Sequence, residues 1–148
     1  MSQGRFDADY FNQYIRARNP ETSLAELEEL ARSKIAKIRL AVAENPHASQ
    51  ALLYRLAKDK DCDVSHGAIL NLNECSDKIL KIIKNANLDL RLSLSYDIAC
   101  PKPILAYLAL DDNPYVSHMA CQTQNKLKSE NSQSKVYKFK SQTKVNRA

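Results

Sequence analysis

A sequence pattern that returns every 26 residues constrains this chain more than any other feature. The dipeptide Asn19-Pro20 recurs as Asn45-Pro46, and the surrounding apolar positions recur with it. Four copies fit in register, and they begin at Asn19, Asn45, Asn71 and Asp97. A period between about 20 and 50 residues indicates stacked supersecondary units, each of which buries its apolar face only against its neighbours.

Apolar residues occupy the same positions in every copy. One column contains Leu27, Leu53, Ile79 and Leu105, and the column three residues later contains Leu30, Leu56, Ile82 and Leu108. A later column contains Ile38, Val64, Leu90 and Val116. Spacings of three and four residues place side chains on one face of a helix, so each copy is predicted to be a helix, a turn and a second helix.

Polar residues at the ends of these helices support the same prediction. The Asn-Pro dipeptide stops one helix and starts a turn, and Thr22, Ser23 or Ser49 can then cap the next helix. The turn inside each copy has a column of short polar residues, which are Ser33, Asp59, Asn85 and Asp111. Glycine is nearly absent, and no strand-like alternation is present in the repeats.

The two ends of the chain differ from the middle. Aromatic and apolar residues within 5–18 follow helical spacing, which predicts an amphipathic helix that caps the first copy. Beyond residue 124 the apolar period is lost, and a segment of Asn, Gln, Ser and Lys is too polar to fold by itself. We therefore expect an all-α chain with a capping helix at 1–18, a four-repeat solenoid at 19–124 and a flexible basic tail at 125–148.

The formal charge of +5 is concentrated at the carboxyl end. Residues 1–122 contain 15 Lys and Arg against 16 Asp and Glu, whereas residues 123–148 contain seven basic residues and one acid. The repeats have many basic residues, but acids are interspersed with them, so the sequence predicts no continuous basic stripe. The basic character belongs to the tail.

The repeats resemble the leucine-rich repeat variant family, whose units begin with Asn-Pro and continue with a Leu-x-x-Leu-Ala helix. Leu53 to Ala57 and the segment from Ile38 through Pro46 carry the resemblance, which extends over residues 19–124. The resemblance implies HEAT-like helices wound into a right-handed superhelix and a non-catalytic scaffold. One member type of the family holds an iron–sulfur cluster on amino-terminal cysteines, but residues 1–18 of this chain contain no cysteine.

Two pairs of residues alternate between copies and are candidates for partner binding. Arg39 and Arg91 occupy one column in the odd copies, and His66 and His118 occupy another column in the even copies. The histidine column is held by leucine in the other copies, which favours a half-buried packing position. The alternative is a ridge of histidines and arginines that contacts a partner.

The tail contains cations interleaved with aromatic residues, which are Lys135, Tyr137, Lys138, Phe139 and Lys140. Such a segment can neutralise phosphates and stack its rings on unpaired bases. It can also add as a strand to the edge of a partner's sheet. The third interpretation is a solvated tail whose charge favours solubility.

Catalytic and metal chemistry are not predicted. The four cysteines lie 13, 25 and 21 residues apart rather than in Cys-x-x-Cys pairs, so each is expected to fill a small slot as a reduced thiol. The acidic turns lack the Gly and Glu of a calcium-binding loop, and helix capping explains their acids. We expect no cofactor and no enzymatic activity.

These observations predict a protein-interaction module or adaptor that binds a partner along its repeats. The alternative is a nucleic-acid-associated protein that uses the basic tail. Residues 1–18 contain no continuous apolar run of the kind that a signal peptide has, and no span of about 18 apolar residues occurs anywhere. We therefore expect a cytoplasmic monomer with no membrane contact.

Overall fold

The computed structural model describes the backbone of residues 3–145 and the side chains of residues 8–130, and this part of the chain is all-helical. Nine α-helices occupy the described backbone, and no strand occurs in it. They are α1 (Gln3–Arg18), α2 (Leu24–Leu30), α3 (Ala36–Ala43), α4 (Gln50–Leu56), α5 (Cys62–Leu72), α6 (Asp77–Lys84), α7 (Leu88–Tyr96), α8 (Lys102–Leu108) and α9 (Pro114–Val145). The predicted all-α class is confirmed.

The helix boundaries follow the 26-residue period of the sequence. The second helix of each copy begins at Ala36, Cys62, Leu88 and Pro114, always 26 residues after the one before. Ser23 and Ser49 cap the first helices of copies one and two, and their hydroxyl oxygens accept hydrogen bonds from the backbone N–H groups of Glu26 and Leu52. Helix-turn-helix order and these two caps are therefore confirmed.

The predicted turn residues close turns in three of the four copies. The side chain of Asp59 accepts a hydrogen bond from the Asp61 N–H, and that of Asp111 accepts one from the Asn113 N–H. Ser33 accepts from the Ile35 N–H in the same way. Asn85 differs, because its amide donates backwards to the carbonyl oxygen of Lys81.

The chain divides into two compact units, Met1–Leu90 and Arg91–Ala148, and the division falls inside α7. In the first unit α3 contacts α1, α2, α4 and α5, so it lies at the centre of the packing. Its core face consists of the buried side chains of Ile38, Ala41 and Val42. The predicted capping helix is α1, which packs on α3 as α3 packs on α5.

Asparagine side chains link successive helix ends in the first unit. The amide of Asn45 donates to the carbonyl oxygens of Ala17 and Asn19, at 2.8 and 3.0 Å. One period later, the amide of Asn71 donates to the carbonyl oxygens of Ala43 and Asn45, both at 2.8 Å. Ala17 and Ala43 lie at the ends of α1 and α3, where carbonyl oxygens have no partner within the helix. Asn45 therefore satisfies the end of α1, and Asn71 satisfies the end of α3.

The first helix of copy three begins one residue late. Helix α5 ends at Leu72 and is capped by Asn73, the one described non-glycine residue with a left-handed backbone (φ 47°), and α6 begins at Asp77 with Ser76 as its cap. The apolar columns nevertheless keep their register, because Ile79 is buried like Leu27 and Leu53, and Ile83 is buried like Ala31 and Ala57. Ile82 is only half-buried, unlike Leu30 and Leu56 in its column, so the core position predicted for it is only partly covered.

In the second unit α8 packs against α9. Buried side chains of Ile104, Leu105 and Leu108 on α8 belong to the same core as Val116 and Ala120 on α9. Helix α9 continues past Gln124, where the sequence placed the start of a tail, and ends at Val145. The predicted boundary at 125 is therefore not a helix end, because residues 115–145 contain no Pro or Gly that would stop the helix. The flexibility of this segment stays a prediction.

None of the described helices combines the length and the apolar composition that crossing a bilayer requires.

Candidate binding groove

An ion pair joins the first two copies. The guanidinium of Arg39 on α3 forms a fork with the carboxylate of Asp59, with Nε–Oδ2 and Nη2–Oδ1 distances of 2.7 and 2.9 Å. Its Nη1 donates to the carbonyl oxygen of Ser33 at 2.9 Å. The two side chains are only 8% and 11% exposed. We call this arrangement the Arg–Asp clasp, and it fixes the turn of copy two against α3.

The clasp shifts the ionisation of both partners. The hydrogen bond to Asp59 favours the charged guanidinium and raises the pKa of Arg39. Burial by itself raises the pKa of the Asp59 carboxyl, but hydrogen bonds from Arg39 and from the Asp61 N–H outweigh it and leave that pKa below its ordinary value. Both residues are therefore held in their charged forms.

A looser clasp occurs in the second unit. Arg91 Nη1 lies 3.4 Å from Asp111 Oδ2, and these residues have the same 20-residue separation as Arg39 and Asp59. The Nε of Arg91 is buried and makes no hydrogen bond. One long contact replaces the two short ones of the first clasp, so this pair holds its turn less tightly.

The junction between copies two and three has no clasp. The position of the arginine is held by Ser65, and the position of the aspartate is held by Asn85. Ser65 donates from its hydroxyl to the carbonyl oxygens of Asp59 and Asp61, at 2.7 and 3.2 Å. The Asn85 amide bonds to Lys81 of its own helix. Neither side chain reaches across the junction.

A groove of about 820 Å³ opens at this junction. Its floor includes Ala57, Ile82 and Leu90, and Ser65 and Asn85 line it where the other junctions carry a clasp. Four lysines surround it, which are Lys58, Lys60, Lys78 and Lys81. All four are exposed, and none forms a salt bridge within the described part of the chain. We call this feature the lysine groove.

The one aromatic residue that lines the groove is already engaged. The hydroxyl of Tyr54 donates to the carboxylate of Glu74 and lies 3.1 Å from the Ser76 hydroxyl. The hydrogen bond to Glu74 raises the pKa of Tyr54, because the bond favours the protonated phenol. The ammonium of Lys78 lies 5.4 Å from the ring centroid, which is the geometry of a cation–π contact.

The structure places the predicted partner-binding residues in different settings. Arg39 is buried in its clasp, whereas Arg91 is 24% exposed and makes one contact to Asp111. The use of these residues in partner binding stays a prediction. His66 on α5 is half-buried, as its leucine column predicted. His118 on α9 is exposed, and its Nε2 lies 2.9 Å from the Gln122 amide nitrogen. The two histidines belong to different units.

The predicted binding segment of the tail lies on α9 by its backbone. The side chains of Lys135, Tyr137, Lys138, Phe139 and Lys140 are outside the described residues. Their use as a nucleic-acid or peptide contact therefore stays a prediction.

All four cysteines are thiols outside disulfides, and their exposures differ. Cys62 lines the lysine groove and is half-buried, Cys100 is buried and Cys121 is exposed. Burial raises the pKa of the half-buried Cys75 thiol. Among the described residues, no group of three or more His, Cys, Asp or Glu side chains is arranged to hold a metal ion.

Sequence reasoning missed the lysine groove because it counted charges without pairing them. Asp59, one of the acids interspersed with the basic residues, lies between Lys58 and Lys60, but its carboxylate is turned to Arg39. The sequence did contain a signal for the groove, because Ser65 and Asn85 stand in the columns that hold arginine and aspartate at the first junction. Two uncharged residues at these positions cannot form the ion pair, and the space that the pair would fill is left as a groove.

No family model, curated protein or solved structure matches this chain.

Proposed function

We propose that this chain is a non-catalytic interaction module whose lysine groove binds an acidic segment of a partner protein. The module is a solenoid of four repeats related to leucine-rich repeat variants. The regular spacing of second helices and the 26-residue recurrence of the asparagine links support this architecture. Stacked repeats present extended surfaces, and the groove is the place where this surface is concave and charged.

The observation that carries the proposal is the unbalanced charge of the groove. Four ammonium groups line it, whereas the carboxylate of Asp59 is committed to Arg39 and that of Glu74 to Tyr54. A cleft lined by charge of one sign attracts ligands of the opposite sign and speeds their association. A segment rich in Asp and Glu supplies that charge, and the apolar floor offers contact area for its backbone and side-chain stems.

A direct test uses a fluorescein-labelled polyglutamate peptide and the full chain. We expect binding in fluorescence anisotropy that weakens as salt is added, because exposed charges are screened. The variant Lys78→Glu/Lys81→Glu reverses charge on one wall and is expected to abolish binding. The control Lys34→Glu/Lys37→Glu changes the net charge equally at exposed residues outside the groove, and binding is expected to survive. Equal loss in both variants would contradict a groove-specific site.

Nucleic-acid binding through the carboxyl-terminal segment is the second candidate. It is favoured by the seven basic residues after position 122, which face one acid, and by the exposed side chains of Lys126 and Lys128 on α9. The full chain with Lys135, Lys138 and Lys140 changed to Gln tests it, since cutting the chain at 122 would interrupt α9. Loss of captured nucleic acid in that variant, with the groove intact, would favour this candidate.

We further propose that the module acts as a cytoplasmic monomer. Light scattering of the purified chain tests the oligomeric state, and fluorescence microscopy of a tagged chain tests the location.

A further inference from the structure

The lysine groove exists because one junction lacks the clasp that the others have. Resting on the function proposed above, we infer that the groove is a phosphoryl-binding site, and that the acidic segment it takes is a phosphorylated one. Ser65 and Asn85 line the groove at the positions that an arginine and an aspartate occupy in the first clasp. The space that a guanidinium–carboxylate pair would fill is therefore open to a ligand.

The charge around this space calls for a multivalent anion. Lys58 and Lys60 flank Asp59, whose negative charge is neutralised by Arg39. Lys78 and Lys81 line the groove from α6. A single carboxylate neutralises one of these four ammonium groups. A phosphoryl group brings a charge between about −1.5 and −2 and three acceptor oxygens on a single side chain.

The donors in the groove are compatible with phosphate. The carboxylate of Asp59 is held by an arginine fork, in which two parallel hydrogen bonds match two oxygens. The groove contains no arginine, and its cations are lysines, which bind phosphate as rotatable point charges. Lysines arranged around a cleft suit the tetrahedral array of oxygens on a phosphoryl group better than the planar carboxylate.

The aromatic residue in the groove argues for a peptide rather than for single-stranded nucleic acid. Proteins that hold unpaired bases stack them on open aromatic faces. Tyr54 is the one aromatic lining residue, and Lys78 covers one face of its ring while Glu74 holds its hydroxyl.

The test restores the missing clasp in the full chain. Ser65→Arg with Asn85→Asp recreates at the middle junction the residue pair and the 20-residue spacing of Arg39 and Asp59, and it fills the groove without removing any lysine. The control Ser117→Arg makes the same change in the same column at a residue that does not line the groove. Circular dichroism and thermal unfolding check that both variants fold. If the clasp variant does not fold, Lys78→Gln/Lys81→Gln takes its place.

The probes are three labelled peptides on one Gly-Ser scaffold, with phosphoserine, glutamate or serine at the same positions, and a labelled oligouridylate. The wild type is expected to bind the phosphoserine peptide about tenfold more tightly than the glutamate peptide, since charge-assisted bonds to a doubly charged group are stronger. The clasp variant is expected to lose both peptides, and the control to keep both.

Three other results would contradict the phosphoryl site, and each excludes a different part of the proposal. Equal affinity for phosphoserine and glutamate, lost together in the clasp variant, would overturn the phosphoryl site and leave the proposed acidic partner standing. Unchanged phosphoserine binding in the clasp variant would show that the groove is not the site. Tight oligouridylate binding with neither peptide bound would overturn both proposals in favour of nucleic acid.

Discussion

Arg39 and Asp59 are joined by two hydrogen bonds across neighbouring repeats, at 2.7 and 2.9 Å, with both side chains nearly excluded from solvent. The pair lies 20 residues apart in sequence and connects α3 to the turn that precedes α5. The charges of this pair are therefore structural. One copy further along the sequence the arginine is replaced by Ser65 and the aspartate by Asn85, and the clasp is absent there.

Removal of one partner of this clasp should destabilise the first unit strongly. Arg39→Ala leaves the buried carboxylate of Asp59 unpaired, and we expect a loss of about 3–5 kcal/mol in the free energy of unfolding. Arg39→Lys should recover only part of that loss, because an ammonium cannot form the fork. Urea unfolding followed by circular dichroism measures both. Arg91→Ala serves as the comparison, and it should cost less because Arg91 makes one longer contact.

Acid should weaken the same clasp. The folded pKa of Asp59 lies below its ordinary value, which is about 3.9 in unfolded chains. The stability that its charge contributes is therefore fully present above the unfolded pKa and is lost as pH falls through the folded value. Unfolding free energies of wild type and Asp59→Asn, measured from neutral pH to pH 2, should converge toward the acid end. Curves that stay parallel would show that Asp59 does not contribute through ionisation.

Asn45 is buried to 2% exposure and all of its side-chain hydrogen bonds are internal. Asn45→Ala removes the donor to the carbonyl oxygen of Ala17 and one of the two donors to that of Asn19, which also accepts from the Thr22 N–H. We therefore expect a loss of about 1–3 kcal/mol. Asn45→Asp places a carboxylate against the same oxygens, and its deficit relative to wild type should shrink as pH falls and the carboxyl becomes protonated. The exposed Asn12→Ala is the control, and an equal loss there would contradict the assignment.

The burial of Ile82 and Ile83 predicts which of the two isoleucines contributes more to the core. Leu56→Ala and Ile83→Ala each remove a side chain that is at most 3% exposed, and each should cost about 2–5 kcal/mol. Ile82→Ala should cost less, because that side chain is half-buried in the lining of the groove. Thermal unfolding of the three variants tests the order, and a larger loss for Ile82 than for Ile83 would contradict this reading of the core.

Gly67 offers a stabilising substitution within a helix. A Cβ added at this residue would lie 3.0 Å from Leu40 Cδ1, which is the end of a half-buried, flexible side chain. The gain in helix propensity from glycine to alanine is about 1 kcal/mol, so Gly67→Ala should raise the melting temperature slightly if Leu40 gives way. Gly67→Val adds bulk that Leu40 and Ala43 cannot accommodate, and it should lower the melting temperature. A loss of stability with alanine would show that Leu40 is fixed.

Sequence patterns predicted the helices well, because helix caps and turns depend on hydrogen bonds between residues that are close in sequence. Ser23 and Ser49 cap the helices that follow them, and Asp59 closes its turn, as residue type and position implied. The half-burial of Ile82 was not predictable from the period, because Ile82 occupies the same column as the buried Leu30 and Leu56. The groove was missed for a similar reason, since its charge depends on which lysines Asp59 does not neutralise, and that follows from three-dimensional pairing with Arg39.

The asparagine links also set an order for folding during synthesis. The carbonyl oxygen of Ala17 has to wait for Asn45, and that of Ala43 for Asn71, which in both cases means 28 further residues of chain. Each helix end thus remains open to water, or to the wrong donor, until the next repeat has left the ribosome. A pause in translation before Asn45 or Asn71 has emerged from the ribosome would hold the nascent chain with that helix end unsealed, whereas a pause after the asparagine has emerged would find it closed.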